Sequence, residues 1–260
     1  MSADFDVLWL NVSPRLKRLD QPLVRALSQS VRIGYWEYRQ TADEGCSIEK
    51  AVRLLHDCLR ESDRPIHLIG HGLGGVVGLM YAKRYRRWVR SLTLLSVAAQ
   101  PELTWHAHYY TQRLLIPCSQ TRILAQTAHS LFGKQLPAPM PQMVQALAHD
   151  LDNAPSPHSL FKITHLTKGP IGAPLMICGS QTDAIVTPPM QREWIEYFKP
   201  GDTLWQAPSG HHFFHYNHPE ITAPAITKFW CQITKRQSLS DQNPRGQSLK
   251  QHNQALVRHS

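Results

Sequence analysis

The chain has 260 residues, is 42% hydrophobic and carries a formal net charge of +9, enough apolar material for one folded α/β unit with a modest insertion. Its longest apolar runs, Val7–Val12 and Ser91–Ala99, fall well short of the roughly 20 residues that a membrane-spanning helix needs, so no span is expected. Lys235, Arg236, Arg245, Lys250 and Arg258 against Asp241 place much of the positive charge in the last 26 residues, leaving a mildly basic body with no specific nucleic-acid partner expected.

Residues 1–6 carry two aspartates and no basic side chain. A short apolar stretch follows, so the segment does not read as a secretory signal and a cytoplasmic address is expected. Cysteines 46, 58, 118, 178 and 231 are scattered, without a C-x-x-C pair or metal-ligand spacing, and are read as reduced thiols. Val7–Val12 reads as a strand, Leu23–Ser28 as a helix, Val31–Tyr38 as a strand and Ile48–Leu59 as a helix. This alternation predicts a largely parallel sheet with helices on both faces. Ile66–Gly70 is a short buried strand, Gly74–Arg87 has helical apolar spacing, and Ser91–Val97 is the next strand. The basic cluster Lys83, Arg84, Arg86, Arg87 and Arg90 reads as a solvated helix face.

Between Pro101 and about Pro170 the strand rhythm stops, and polar helical stretches are broken by prolines at 137, 139, 141, 155 and 157. A strand returns at Pro174–Gly179, a helix at Pro188–Phe198, and Thr203–Ala207 with Ile221–Ile233 complete the run. From about Gln237 the chain is rich in Gln, Ser, Asn and basic residues, a composition expected to stay disordered. The expected division is therefore a core of residues 1–100 and 171–234, a helical cap of 101–170, and a basic tail of 235–260.

Gly70-His71-Gly72-Leu73-Gly74-Gly75 sits between a strand and a helix. It fits G-x-G-x-x-G, but a dinucleotide site also wants an acidic residue about 20 positions on, where Ser96, Val97 and Ala98 stand instead. It fits equally a nucleophile elbow, G-x-Nuc-x-G, with Gly72 at the centre. Here the chain resembles the α/β-hydrolase superfamily, whose single-domain members commonly carry Gly-His-Ser-x-Gly-Gly at this turn; the resemblance covers about residues 5–234. It implies an α/β-hydrolase fold, a mostly parallel central sheet with helices on both faces and a helical cap insertion. It also implies that Asp183, in Gly179-Ser180-Gln181-Thr182-Asp183, stands at the catalytic acid, and that Gly210-His211-His212 begins the histidine loop. The six-residue spacing to Pro219-Glu220 selects His212, whereas the Gly-His pair itself selects His211. Four histidines in this loop (211, 212, 215 and 218) could suggest a metal site, but no Cys or carboxylate motif supports one, and no metal or cofactor is expected.

Gly72 has no side chain, so no acyl-enzyme can form at that position. Of the oxyanion donors that the resemblance implies, the Leu73 amide remains, while Asn11 and Val12 stand where a His-Gly pair is common. Two functions remain open. One is a non-hydrolytic binding or accessory protein for a small, partly apolar molecule or a protein partner, with His71, Trp105, His106, His108, Tyr109 and Tyr110 as candidate lining residues. The other is a hydrolase or lyase in which His212, oriented by Asp183, acts as general base on water or on a substrate proton. Ser96, Cys178 and Ser180 are the candidate substitute nucleophiles.

Overall fold

A computed structural model describes residues 5–39, 47–155 and 169–242. Six strands, β1 (Val7–Asn11), β2 (Ile33–Glu37), β3 (Ile66–His71), β4 (Val89–Leu95), β5 (Leu175–Ser180) and β6 (Thr203–Ala207), form one sheet in the order β2-β1-β3-β4-β5-β6. Every pairing is parallel. Parallel strands need covered faces, and the alternation of side chains along each strand supplies two separate cores. Leu8, Leu10, Leu68, Leu92, Leu94 and Ile177 point to one side, where they meet α2 (Ile48–Leu59) and α3 (Gly72–Arg84). Val7, Trp9, Ile69, Met176 and Cys178 point to the other, against α1 (Gln21–Leu27) and α9 (Pro219–Gln242).

The insertion between β4 and β5 contributes α4 (Trp105–Leu115), α5 (Gln120–Phe132) and α6 (Met140–Asn153). Thr104 accepts a hydrogen bond from Ala107 N at the start of α4, and Ser119 accepts one from Arg122 N at the start of α5, satisfying backbone donors that helix starts leave open. These helices have their own core of Tyr109, Ile123, Leu124, Leu131, Phe132, Met143 and Leu147. That core continues into Leu16 and Leu19 after β1 and Phe213 before α8 (Phe214–Asn217), which fastens the cap over the C-terminal edge of the sheet.

The segment predicted as one helix from Pro188 to Phe198 is instead α7 (Pro188–Arg192) followed by 3-10 turns over Glu193–Tyr197. Burial of Trp194, whose Nε1 donates to the Val97 carbonyl at 2.8 Å, ties that stretch to the end of β4. The last helix also runs on to Gln242, so residues 235–242 are helical where disorder is expected; residues 243–260 lie outside the described set. Among the basic cluster, Arg84 pairs with Glu49, Arg86 donates to the Gly172 carbonyl, Arg87 lies over the Trp88 ring and Arg90 donates to Thr234. These residues bind neighbouring elements together as well as meeting solvent. No described helix is long and apolar enough to cross a membrane.

His67 on β3 is buried between Trp230 of α9 and Ser91 of β4, its Nδ1 2.6 Å from Ser91 Oγ. Burial above all, with a further push from Arg90, holds its pKa down to about 3. The unfolded chain takes up this proton near pH 6.5 and the folded chain does not. Its contribution to stability is therefore complete above pH 6.5 and is lost progressively between pH 6.5 and about 3. Urea unfolding across that range should show His67→Gln flattening the acid loss by up to about 1.4 kcal/mol per pH unit; an unchanged slope would mean that other groups carry it.

Candidate active site

The order of the sheet positions the site before any side chain is considered. The chain leaves β1 towards β2 on one side and later builds β3 on the other, so the crossover directions diverge between β1 and β3, which opens a crevice at the strand C-termini. Asn11 ends β1, Gly72 follows β3, Ser96 follows β4, Asp183 lies just beyond β5 and His212 beyond β6. All five therefore converge on one edge.

At the turn from β3 into α3 the backbone passes through Gly72 with φ +50°. Gly74 lies against the Leu10 carbonyl of β1, and Gly75 against Val97 and the Gly70 carbonyl; a Cβ at either would collide. The turn is thus pressed onto β1, and glycine is needed for that approach. Gly72 differs: a Cβ there would meet nothing within 4 Å. Leu73 follows in the first turn of α3, where amide groups have no partner within the helix.

His212 and Asp183 are brought together. The imidazole Nδ1 lies 3.0 and 3.2 Å from the two carboxylate oxygens, with His212 1% and Asp183 3% exposed. Asp183 Oδ1 also accepts from the amides of Ile185 and Val186 at 2.8 and 3.1 Å, which fixes the carboxylate. The His212 backbone is held from three sides. Its amide donates to the Leu131 carbonyl in the cap, and its own carbonyl accepts from Ser96 Oγ at 2.8 Å and His71 Nε2 at 3.1 Å. His212 Nε2 is buried and has no hydrogen-bond partner among the described residues. With the Nδ1 proton donated to Asp183, Nε2 carries the free lone pair of the neutral ring.

The four histidines of this loop go four ways. His211, at φ 55°, donates its amide to Thr182 Oγ1 and packs its ring against Gly133 at the end of α5. His215 Nε2 meets Asp20 Oδ1 at 3.0 Å, and His218 Nε2 meets Ser209 Oγ at 2.8 Å. Of the two candidates, His212 is the one on Asp183.

Two cavities meet at Gly72, Leu73 and Trp105. One is narrow, with about 10 Å³ of free space, and is lined mainly by apolar side chains, Val76, Val97, Ala98, Leu103 and Trp105, together with His212. The other, with about 20 Å³ of free space, has a mixed lining in which Asn11, Ser13, Asp20, His71 and His106 stand beside Leu10, Leu16 and Phe213. Asn11 is tied on both sides: its Oδ1 accepts from Ser13 N at 3.0 Å and its Nδ2 donates to Asp20 Oδ2 at 3.1 Å. His71 sits deep, its ring centre 4.9 Å from that of His212 and 4.7 Å from that of His215. Burial, then the His215 and His212 rings, hold its pKa well below the usual histidine range, so it is a neutral hydrogen-bonding group. Burial, then His212, also lowers that of His108.

Trp105 borders both cavities, whereas Tyr109, expected beside it, is buried in the core of the cap because it follows one helical turn later on α4. Tyr110 is exposed on that helix. Of the candidate substitute nucleophiles, Cys178 is fully buried with its thiol pKa pushed up by desolvation, and Ser180 is buried beside Thr182. Ser96 borders the apolar cavity, but its hydroxyl is donated to the His212 carbonyl and not hydrogen-bonded to the ring. Sequence reasoning missed the Asp20–His215 pair and a further pair, His106 Nε2 on Asp150 Oδ2 at 3.0 Å with Ser13 Oγ at 3.2 Å from the same oxygen. The clustered histidines pointed towards the first; the second joins residues 44 positions apart, with Ser13 a further 93 positions before His106, and had no local signal.

A doubly covered parallel sheet with a helical cap over its C-terminal edge is the α/β-hydrolase fold. The chain belongs to the alpha/beta hydrolase family, whose family model matches residues 33–225. It is 47% identical over 230 residues to "Uncharacterized protein alr2406" of Nostoc sp. (strain PCC 7120), covering 88% of this chain and 92% of that one. It is 39% identical over 240 residues to "Uncharacterized protein sll0249" of Synechocystis sp. (strain PCC 6803), covering 92% and 96%. Among solved structures, the carboxylesterase CesB of Bacillus subtilis superposes with a TM-score of 0.66 at 14% identity, covering 87% of this chain and 83% of that one. At that identity the likeness concerns the fold.

The crowding around the turn makes its glycines unequal. Gly72→Ala should cost about 1 kcal/mol, from φ alone, and Gly74→Ala about 3 kcal/mol, because a Cβ meets the Leu10 carbonyl. Urea unfolding of both variants checks the order; a larger loss at position 72 would contradict the geometry.

Proposed function

We propose that Gly72 stands where the family's nucleophilic serine would stand, and that the chain binds a small, partly apolar molecule at this site without hydrolysing it through an acyl-enzyme. The observation that carries this reading is the pairing of a side-chain-free position at the turn with a buried Asp183–His212 pair whose Nε2 has no partner among the described residues. A buried polar nitrogen without a partner costs about 1–3 kcal/mol. A ligand donating a hydrogen bond to Nε2 removes that cost. Its apolar part would lie against Val76, Val97, Ala98 and Leu103 and its polar part against Asn11, Asp20, His71 and His106, with neighbouring side chains giving way, since the free space at each holds about one water. Leu73 N is the available donor for a ligand oxygen at the start of α3.

A second reading is favoured by the orientation of the imidazole. Nδ1 on Asp183 leaves Nε2 as a base, which would take a proton from a bound water or directly from a substrate. The water oxygen would then attack the substrate with no covalent enzyme intermediate, and the imidazolium would return the proton to the leaving group.

Release of nitrophenolate from p-nitrophenyl acetate and butyrate separates the readings. The native chain should stay at the uncatalysed rate. Gly72→Ser, for which there is space at Cβ, should gain about 100-fold over native through the assembled base, and adding His212→Ala should abolish the gain. Native turnover that is lost in His212→Ala would replace the binding reading by the general-base one. An inert Gly72→Ser variant would mean that the acid and histidine do not serve position 72.

A further inference from the structure

The far end of α4 carries a feature that the site does not use. Leu114 is 87% exposed and Leu115 76%, with exposed Ile116 next to them and Tyr110 one helical turn back. Scattered exposed leucines are ordinary, whereas consecutive ones at a protruding turn form a patch that invites a contact. The tip is held in place: Arg113 Nη1 donates to the Cys118 carbonyl at 2.9 Å across the α4–α5 turn, and Ser119 caps α5. Arg113 and Arg122 are themselves exposed.

The charge around this tip has one sign. The two helices that meet there, α4 and α5, contain no Asp or Glu, and neither does the turn between them, while they hold Arg113, Arg122 and His106, His108 and His129. A protein partner would need to bury roughly 800 Å² on each side for a stable contact, more than a convex turn with three or four apolar side chains offers. An apolar tip flanked by Arg113 and Arg122, on helices without acidic side chains, matches a different partner, the boundary of an anionic bilayer, where leucines enter at headgroup depth and arginines meet phosphates. We propose that the α4–α5 turn docks this protein on an anionic lipid surface, by insertion of Leu114, Leu115 and Ile116 with Arg113 and Arg122 on the headgroups. The other end of the same helix is Trp105, which borders both cavities. This inference stands independently of what the crevice binds.

Sedimentation of the full chain with vesicles provides the test, using phosphatidylcholine alone or mixed with phosphatidylglycerol, at low and high salt. The native chain should sediment with the anionic vesicles at low salt and be released by high salt. Leu114→Glu with Leu115→Glu should lower partitioning about 10-fold or more, and Arg122→Ser alone about 5-fold. The leucine positions are largely exposed, so the thermal midpoint should stay at its native value; if it falls, Leu114→Ser with Leu115→Ser is the milder pair. The proposal is overturned by absence of sedimentation with either vesicle, by equal binding to both compositions, or by native binding of the leucine variants. A native dimer that these variants convert to a monomer in gel filtration would also overturn it, and would make a second copy the occupant of the tip.

Discussion

The close approach of the β3–α3 turn to β1 is the constraint on which the rest of the site depends. Gly74 rests against the Leu10 carbonyl, and Gly70 and Gly75 pack on one another and on Val97. No side chain fits between these backbones, and this brings the start of α3 beside the loop that follows β1. The crevice between β1 and β3 is then narrow and floored by Asn11 and Gly72. The remaining strands carry Ser96, Asp183 and His212 to the same edge by register alone. Once the turn is seated, the loops carrying Asp183 and His212 need only their local hydrogen bonds to complete the arrangement.

Those hydrogen bonds make the interior unusually polar for its depth. Three histidine–aspartate pairs surround the crevice: His212 with Asp183, His215 with Asp20, and His106 with Asp150. In each the second ring nitrogen is buried without a partner among the described residues. A fold selected only for stability would replace such groups with apolar ones, since a half-satisfied polar network is less stable than packed hydrocarbon. Their presence around one crevice is what favours a site that meets a polar ligand. Asp20 also accepts from Trp9 Nε1 and Asn11 Nδ2, so the network reaches from the floor of the crevice into the core beneath the sheet.

Much of this was legible in the chain. Ile48–Leu59 and Thr203–Ala207 have the bounds their patterns predict, because period and strand alternation report directly on which face is buried. Asp183 was marked by its loop after a strand and His212 by its spacing to Pro219-Glu220, and the geometry then distinguished His212 from His211. Other features depend on contacts that sequence order hides. Tyr109 packs inward because the cap has its own core, the helix expected to end near Phe198 tightens into 3-10 turns where Trp194 is tied to Val97, and Asp20 meets a histidine 195 positions away. Composition suggested disorder from about Gln237, yet α9 extends to Gln242.

The central proposal is that the turn, Asp183 and His212 are arranged around a nucleophile position at which Gly72 supplies no side chain. Intact-mass spectrometry after exposure to an alkyl fluorophosphonate tests it most directly, since this reagent bonds to an activated serine hydroxyl with loss of fluoride. The account predicts no adduct on the native chain and one adduct on Gly72→Ser, mapped to position 72 and absent when His212→Ala is added. An adduct on the native chain, or none on Gly72→Ser, would contradict it.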